Sequence, residues 1–298
     1  MTRRGWVLFA SMCLLWGMPY LLIKIAVEEL SPPQLVLLRT GIAALLLLPY
    51  AAVRGELTPL LPYWRPLVAF TALELAVPWL LLATAEQQLS SSLTGLLVAV
   101  VPLVAAFAGR LAGHGDRLDR RRLLGLGIGF AGVGALVGLD VRGGDLLSVA
   151  EVGTVVVCYA VAPLIVSRWL GGLPAAGITA AALALTATVY LPFGARGLEI
   201  PSGRVAMAVV VLAVACTAAA LLIFFALIAE VGPQRALVFT FVNPAVALLL
   251  GVVVLSEPFT LGALVGFPLI LVGCVLATRA SRAATVDEET LAEPVARP

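Results

Sequence analysis

The sequence predicts an all-α integral membrane protein with ten transmembrane helices, arranged as two inverted repeats of five helices with both termini in the cytosol. Three observations predict this fold. The chain of 298 residues is 61% hydrophobic and 12% charged, with a mean hydropathy of +1.08, whereas a soluble domain carries about 25% charged residues. Its apolar residues form ten long runs, and the second five runs repeat features of the first five. A net charge of +2 gives no reason to expect a nucleic acid partner.

The transmembrane helices follow from the lengths of the apolar runs, because about 20 helical residues are needed to cross about 30 Å of hydrocarbon. The ten runs are 6–27, 34–53, 66–86, 91–111, 122–139, 147–167, 174–194, 205–228, 234–255 and 260–278. The first run follows two arginines, as a signal peptide would, but it is too long for that role and no cleavage site follows it. The polar residues 279–298 are predicted to form a disordered cytosolic tail.

The direction of the helices follows from the positions of Lys and Arg, which concentrate in the cytosolic loops of membrane proteins. With the N-terminus inside, 14 of the 19 basic residues lie on the cytosolic side and 5 lie on the other side. Both termini are therefore predicted to be cytosolic.

The two halves of the chain share motifs in the same order. The fifth run contains GLGIGF from Gly125 and the tenth contains GALVGF from Gly262, while Glu86 ends the third run and Glu230 follows the eighth. Further matches are Pro102 with Pro244, and Pro19 five positions before Lys24 with Pro163 five positions before Arg168. Because each repeat has five spans, the second copy must be inverted. The repeats are assigned to 1–139 and 140–278, an architecture typical of alternating-access transporters with a site between the repeats.

Glu74 is a carboxylate in the apolar interior of the third run, within ALELAVPWLLLATAE. A charge at this depth costs at least about 2.5 kcal/mol, so the side chain is expected to face a cavity or a partner. Pro78 can kink the helix one turn later, and Trp79 is expected to line the same cavity. One interpretation makes Glu74 a proton-exchanging group or an anchor for a substrate ammonium. The alternative is a carboxyl that is protonated or paired and only holds helices together.

Trp16, Tyr20 and Lys24 recur every fourth residue in the first run and form one stripe on the helix. The stripe can line a cavity with aromatic faces. The alternative is ordinary packing, with Lys24 reaching the surface to pair with Glu28 or Glu29.

Arg39 lies near the start of the second run. Its guanidinium can bind a substrate carboxylate through two parallel hydrogen bonds, and a structural ion pair with Glu74 or Glu86 is the alternative. The hydroxyl residues at 90–94, which open the fourth run, are expected to cap that helix.

The stretch FVNPAV places Asn243 and Pro244 at the centre of the ninth run. Pro244 frees a carbonyl one turn earlier, and Asn243 adds an amide near the midplane. Broken helices at corresponding positions of two halves point to a transport site, whereas the alternative is a kink that neighbouring helices satisfy. The predicted kinks lie at Pro19, Pro78, Pro102, Pro163 and Pro244.

Four stretches resemble the EamA family of the drug/metabolite transporter superfamily, and the resemblance covers 6–278. They are LLWGMPYLLIKIA, SPPQLVLLRTGIAALLL, ALELAVPWLLLATAEQQLSSSLTGLLVAVVPLVAA and ALIAEVGPQRALVFTFVNPAVALLLGVVVLSEPFTLGALVGFPLILVG. The resemblance implies ten helices in two inverted repeats around a central cavity, and export of amino acids or other small metabolites. The positions that match family patterns are Trp16, Gly17, Tyr20, Lys24, Arg39, Pro102, Glu230, Pro244, Glu257 and Gly266.

Other classes of function are weakly supported by the sequence. The four cysteines are isolated in apolar runs and are interpreted as small buried side chains. The single histidine, His114, lies in a basic loop, so neither a histidine-based catalytic site nor a zinc site is predicted. The chain has no P-loop motif to power transport with ATP. A membrane-embedded enzyme and a non-transporting scaffold subunit remain the alternatives to a carrier.

We therefore expect a secondary-active transporter in the inner membrane of a bacterium that exports amino acids or amphiphilic amines, with proton coupling left open and Glu74 as the leading proton carrier. The cavity is expected to be built from Trp16, Tyr20, Lys24, Arg39, Glu74, Trp79 and Asn243. No cofactor and no metal are predicted. The predicted partners are a small-molecule substrate and the lipid bilayer, and a homodimer is left open.

Overall fold

A computed structural model describes residues 2–111, 120–140, 145–232 and 236–278, and no strand occurs in these ranges. The helices, in chain order, are α1 Arg3–Ala26, α2 Pro32–Val53, α3 Thr58–Ala85, α4 Ser91–Ala108, α5 Arg120–Asp140, α6 Leu146–Leu170, α7 Ala175–Gly194, α8 Gly203–Val231, α9 Asn243–Leu255 and α10 Leu261–Thr278. The predicted tail at 279–298 and the loop histidine, His114, lie outside the described residues.

The helices confirm the prediction of an all-helical membrane protein. In the described parts of the chain, eight helices are long and apolar enough to cross a membrane, and α9 and α10 are shorter apolar helices. The predicted run 234–255 is longer than α9 because a 3₁₀ helix, Leu237–Phe241, precedes it. Many large hydrophobic side chains face outward, as on Leu45, Val53 and Val253, which suits helices surrounded by lipid.

Within the described ranges, α3 begins as a 3₁₀ helix, Thr58–Tyr63, and six further changes of helical geometry occur, five of them next to a proline. Proline lacks the N–H that would continue the helical hydrogen bonds. The breaks follow Gly17 before Pro19, Ala76 before Pro78, Val98 before Pro102 and Phe241 before Pro244, and a π-helical segment, Val166–Leu170, follows Pro163. The sixth is in α8, where the π-helical segment Val214–Ala219 occurs without a proline.

Glycines bring α5 and α10 into backbone contact along an antiparallel pair. A Cβ atom on Gly132 would lie 2.8 Å from the carbonyl oxygen of Gly266, and one on Gly273 would lie 2.5 Å from the backbone of Gly129. Small residues at these positions let the helices approach closely in the absence of a strong hydrophobic driving force between them.

Two further pairs, α2 with α7 and α4 with α9, also pack antiparallel. At one end of the first pair, Gly177 approaches the carbonyl of Glu56, and at the other end Gly194 approaches that of Pro33. The polar side chains described below lie among α1, α2, α3, α6 and α8.

Candidate functional site

Arg39 is a buried cation of α2 whose partners are an aromatic ring and a hydroxyl. It is 7% exposed, its guanidinium carbon lies 3.4 Å from the ring centroid of Trp79 in α3, and its Nε donates a hydrogen bond to Thr217 Oγ1 in α8 (3.1 Å). Within the described ranges it forms no salt bridge, so the expected alternative of an ion pair with Glu74 or Glu86 is not found. A guanidinium has five N–H donors, and among the described residues Thr217 is the only hydrogen-bond acceptor for Arg39.

Trp79 and Tyr159 connect Arg39 to Glu74. The Tyr159 hydroxyl, in α6, lies beside the Trp79 indole and within electrostatic range of both Arg39 and Glu74. Glu74 is half-buried in a π-helical segment, Ala72–Ala76, a geometry that often marks functional sites. Among the residues described, none donates a hydrogen bond to its carboxylate. Arg39 and Glu74, with Trp79 and Tyr159 between them, thus border one polar region. The cation and the carboxylate form no ion pair there among the described residues.

Lys24 of α1 binds the backbone of the connection between α3 and α4. Its Nζ donates hydrogen bonds to the carbonyl oxygens of Glu86 (2.6 Å) and Leu89 (2.7 Å), which the end of α3 leaves without helical partners. The alternative interpretation, pairing with Glu28 or Glu29, is wrong because both of those carboxylates bind the start of α8.

Glu86 is a buried carboxyl group at the end of α3. It is 0% exposed, and neither oxygen has a hydrogen-bond partner in the described part of the chain. Lys24, Arg39, Glu257 and Tyr20 lie within electrostatic range of it. The sequence marks Glu86 through its place in the repeat and as an alternative ion-pair partner of Arg39, and nothing there predicts its complete burial.

Hydroxyl and carboxylate groups cap the start of α4. Ser90 Oγ accepts a hydrogen bond from the N–H of Leu93 (3.2 Å), which confirms the expected cap. Glu257, between α9 and α10, accepts hydrogen bonds from the N–H groups of Ser91 (2.8 Å) and Ser92 (3.0 Å). The helix N-terminus favours a negative charge there, so Glu257 fastens the connection after α9 to the start of α4.

Trp16 and Asn243 have apolar and backbone partners instead of the polar ones just described. The Trp16 ring lies 5.2 Å from the ring of Phe224 and 5.2 Å from that of Phe239. With its amide oriented to donate, Asn243 reaches the carbonyl oxygens of Cys13 (3.3 Å) and Phe239 (3.0 Å). Of the side chains singled out in the sequence, the polar region contains Tyr20, Lys24, Arg39, Glu74 and Trp79. Tyr159 and Thr217 belong to it without having been predicted.

A separate cavity of about 210 Å³ lies among the ends of α4, α5 and α10. Its polar lining comprises Gln88, Ser90, Ser92, Asp140, Asp145 and Thr260. Asp140 accepts hydrogen bonds from Thr260 (2.6 Å) and from the N–H of Gly262 (3.1 Å), so it caps α10. No cluster of three or more His, Cys, Asp or Glu side chains that could hold a metal occurs in the ranges described.

Apolar helices that enclose a buried cation and an unpaired carboxylate are typical of membrane transporters, where intramembrane ionisable groups mark substrate or ion pathways. Comparison with known proteins agrees with this class. The family model of the EamA-like transporter family matches residues 3–138 and again 151–279. The chain belongs to this family.

Two relatives are themselves named as transporters. The chain is 30% identical over 253 residues to the uncharacterized inner membrane transporter YedA of Escherichia coli, covering 81% of this chain and 79% of that protein. It is 24% identical over 281 residues to an uncharacterized transporter of Archaeoglobus fulgidus, covering 93% of this chain and 99% of that protein. A crystal structure of a protein that is 21% identical shares the fold, with a TM-score of 0.66 over 92% of this chain and 97% of that chain. The protein is a multi-pass protein of the bacterial inner membrane.

Proposed function

We propose that the protein is a secondary-active transporter that exports small metabolites bearing a carboxylate, amino acids first among them. Arg39 carries this proposal. A buried guanidinium without a carboxylate partner is costly, and a substrate carboxylate offsets that cost. Glu74 then binds the ammonium group of the substrate or exchanges a proton with it. The proton exchange is the step that couples transport to protons. An amphiphilic amine, the other substrate class expected from the sequence, has no group for Arg39.

The helix packing supports two inverted repeats at 1–139 and 140–278. Gly125 and Gly262 begin the repeated motif, and their contacts correspond, because Gly125 approaches Ala277 while Gly262 approaches Asp140. Ala277 follows Gly262 at the spacing at which Asp140 follows Gly125. Contacts that exchange in this way between antiparallel helices are those expected of an inverted repeat.

The interrupted helices support the same repeat. The π-helical segments Ala72–Ala76 and Val214–Ala219 lie at similar distances before Glu86 and Glu230. The breaks in α4 and in front of α9 likewise recur at matching prolines. Counting α9 and α10 as spans gives ten crossings, and rocking of one repeat against the other exposes the polar region around Arg39 to alternate sides of the membrane.

Paired aromatic and basic side chains support a cytosolic N-terminus. Arginines lie over neighbouring rings at the end of α2, the start of α3 and the end of α6. These pairs are Arg54 over Tyr50 (5.3 Å), Arg65 over Trp64 (5.3 Å) and Arg168 over Trp169 (5.0 Å). With ten crossings, all three share the side of the exposed Trp6 near the N-terminus. Aromatic anchors beside basic residues suit the cytosolic interface.

Export is tested by comparing the extracellular metabolites of cells that contain the wild type, Arg39→Gln, Glu74→Gln or Glu151→Gln at matched membrane levels. Glu151 is a half-buried carboxyl of α6 outside the polar region, so its variant is the control. We expect a metabolite with a carboxylate to accumulate outside with the wild type and the control. Arg39→Gln should lower its export about tenfold or more, because hydrogen bonds to charged groups contribute about 1.5–3 kcal/mol. Identical profiles in all strains, the vector control included, would contradict export.

A further inference from the structure

Glu86 differs from Glu74 in being completely enclosed. It is 0% exposed and both carboxyl oxygens lack a hydrogen-bond partner within the described ranges, whereas Glu74 is half-buried. A charged carboxylate without hydrogen bonds is strongly disfavoured in such surroundings, and a neutral carboxyl is far better tolerated. The closed packing around Glu86 therefore suits the neutral group.

Four titratable groups face Glu86: Tyr20 and Lys24 from α1, Arg39 from α2 and Glu257 from the segment after α9. Three of them are engaged elsewhere. Lys24 donates to backbone carbonyls and Arg39 to Thr217, while Glu257 accepts from the start of α4. The neighbouring cations thus leave the Glu86 carboxyl unbonded, and the charge of Glu257 opposes a second negative charge beside it.

Lys24, Glu86 and Glu257 together define a closed end of the bundle, where α1, the α3–α4 connection and the segment after α9 meet. We propose that Glu86 is a proton-binding residue whose protonation stabilises this closed end. When its proton leaves to water, the carboxylate competes with the backbone carbonyls for Lys24 and draws in solvent, so the closed end opens. This inference rests on the proposed transport function, because only a carrier needs to open and close each end in turn.

A cysteine reporter tests this proposal without any substrate. Ser91 is buried at the closed end and its hydroxyl has no partner in the described structure, so Ser91→Cys introduces a thiol of similar size there. Its alkylation by a water-soluble maleimide is followed in the purified full-length protein from about pH 6 to about pH 9. Each rate is divided by that of the denatured protein at the same pH. The protein without the reporter corrects for the four native cysteines, which are buried.

We expect the normalised rate to rise with pH by up to about tenfold per pH unit, as for one titrating group. In a Glu151→Gln background the normalised rate should follow the same curve. In a Glu86→Gln background the normalised rate should stay low at every pH. A pH-independent wild type, or a Glu86→Gln profile like that of the wild type, overturns the proposal. If Glu86→Gln fails to fold, Glu86→Asp is the deciding variant. Its shorter side chain should move the midpoint of the pH dependence of labelling, and an unmoved midpoint overturns the proposal. Labelling needs no substrate, so its failure is distinguishable from a failure of export.

Discussion

The guanidinium carbon of Arg39 lies 3.4 Å from the ring centroid of Trp79, so a stacked cation joins α2 to α3. Such stacking stabilises a desolvated cation by about 2 kcal/mol, and it leaves the edge of the guanidinium free to donate hydrogen bonds. Thr217 accepts one of them. Arg39 is therefore held in place, while its other donors have no acceptor among the described residues.

Replacing Arg39 by Lys preserves the charge but removes the planar group that stacks on Trp79 and can bind a carboxylate through two hydrogen bonds. We expect Arg39→Lys to lower export about tenfold or more, equivalent to a loss of about 1.5–3 kcal/mol, with membrane insertion retained. Export at matched membrane levels measures the effect. Wild-type export by Arg39→Lys would mean that only the charge is needed.

Thr217 positions Arg39, so removing its hydroxyl should weaken substrate binding more than it weakens the fold. We expect Thr217→Val to raise the substrate concentration for half-maximal transport about 2- to 10-fold, the effect of losing about 0.5–1.5 kcal/mol. Thr186→Val is the control, since Thr186 is buried and its hydroxyl bonds only within its own helix, to Ala182 (2.8 Å). Equal effects of the two variants on transport would contradict the role of Thr217.

Gly132 lies where α5 and α10 touch, and a Cβ atom there would come within 2.8 Å of a carbonyl oxygen of α10. Gly132→Ala should therefore destabilise the protein by about 1–3 kcal/mol, as overpacking does. Gly134→Ala, two residues on, meets nothing within 4 Å and should leave stability unchanged or slightly raised. Thermal unfolding in detergent compares them, and an equally stable Gly132→Ala would show that the helices can separate without cost.

Glu29 gives stability a pH dependence in acid. Hydrogen bonds from Ser202 lower the pKa of Glu29 below its ordinary value of 4.5, and the charge of Arg204 adds to the effect. The pKa of Glu29 is lower in the folded state than in the unfolded state, so its ionised carboxylate stabilises the folded protein above the unfolded-state pKa. This stabilisation is lost as the pH falls through the folded-state pKa. The difference in stability between the wild type and Glu29→Gln should therefore shrink below about pH 4.5. Melting temperatures across this range measure it, with the exposed Glu199→Gln as control, and parallel curves for wild type and Glu29→Gln would contradict it.

The helices and their proline breaks could be predicted from the sequence because each has a local cause. Apolar length sets a span, and Pro102 or Pro244 removes a backbone N–H at its own position, although the helices continue through Pro49, Pro192 and Pro268. The π-helical segment Val214–Ala219 could not be predicted in this way, since no proline marks it. Thr217 within it accepts a hydrogen bond from Arg39 of α2, a contact between residues far apart in sequence.

The site was predicted in part for the same reason. An intramembrane charge such as Glu74 or Arg39 is visible in the sequence, but its partners are not. The backbone carbonyls that bind Lys24 carry no sequence signal, and a tyrosine such as Tyr159 is unremarkable in an apolar run. Trp16 shares a helix stripe with Tyr20, yet its ring packs against phenylalanines from other helices.

The most direct test of the central claim uses purified protein in liposomes loaded with a mixture of amino acids and their decarboxylated amines. Mass spectrometry follows which solutes leave. We predict that the wild type and Glu151→Gln release one or more amino acids but not the matching amines, and that Arg39→Gln releases neither. Release of amines and amino acids alike, undiminished in Arg39→Gln, would contradict the assignment of Arg39 as the carboxylate-binding residue. Release no greater than that from loaded liposomes without protein would contradict transport of this substrate class.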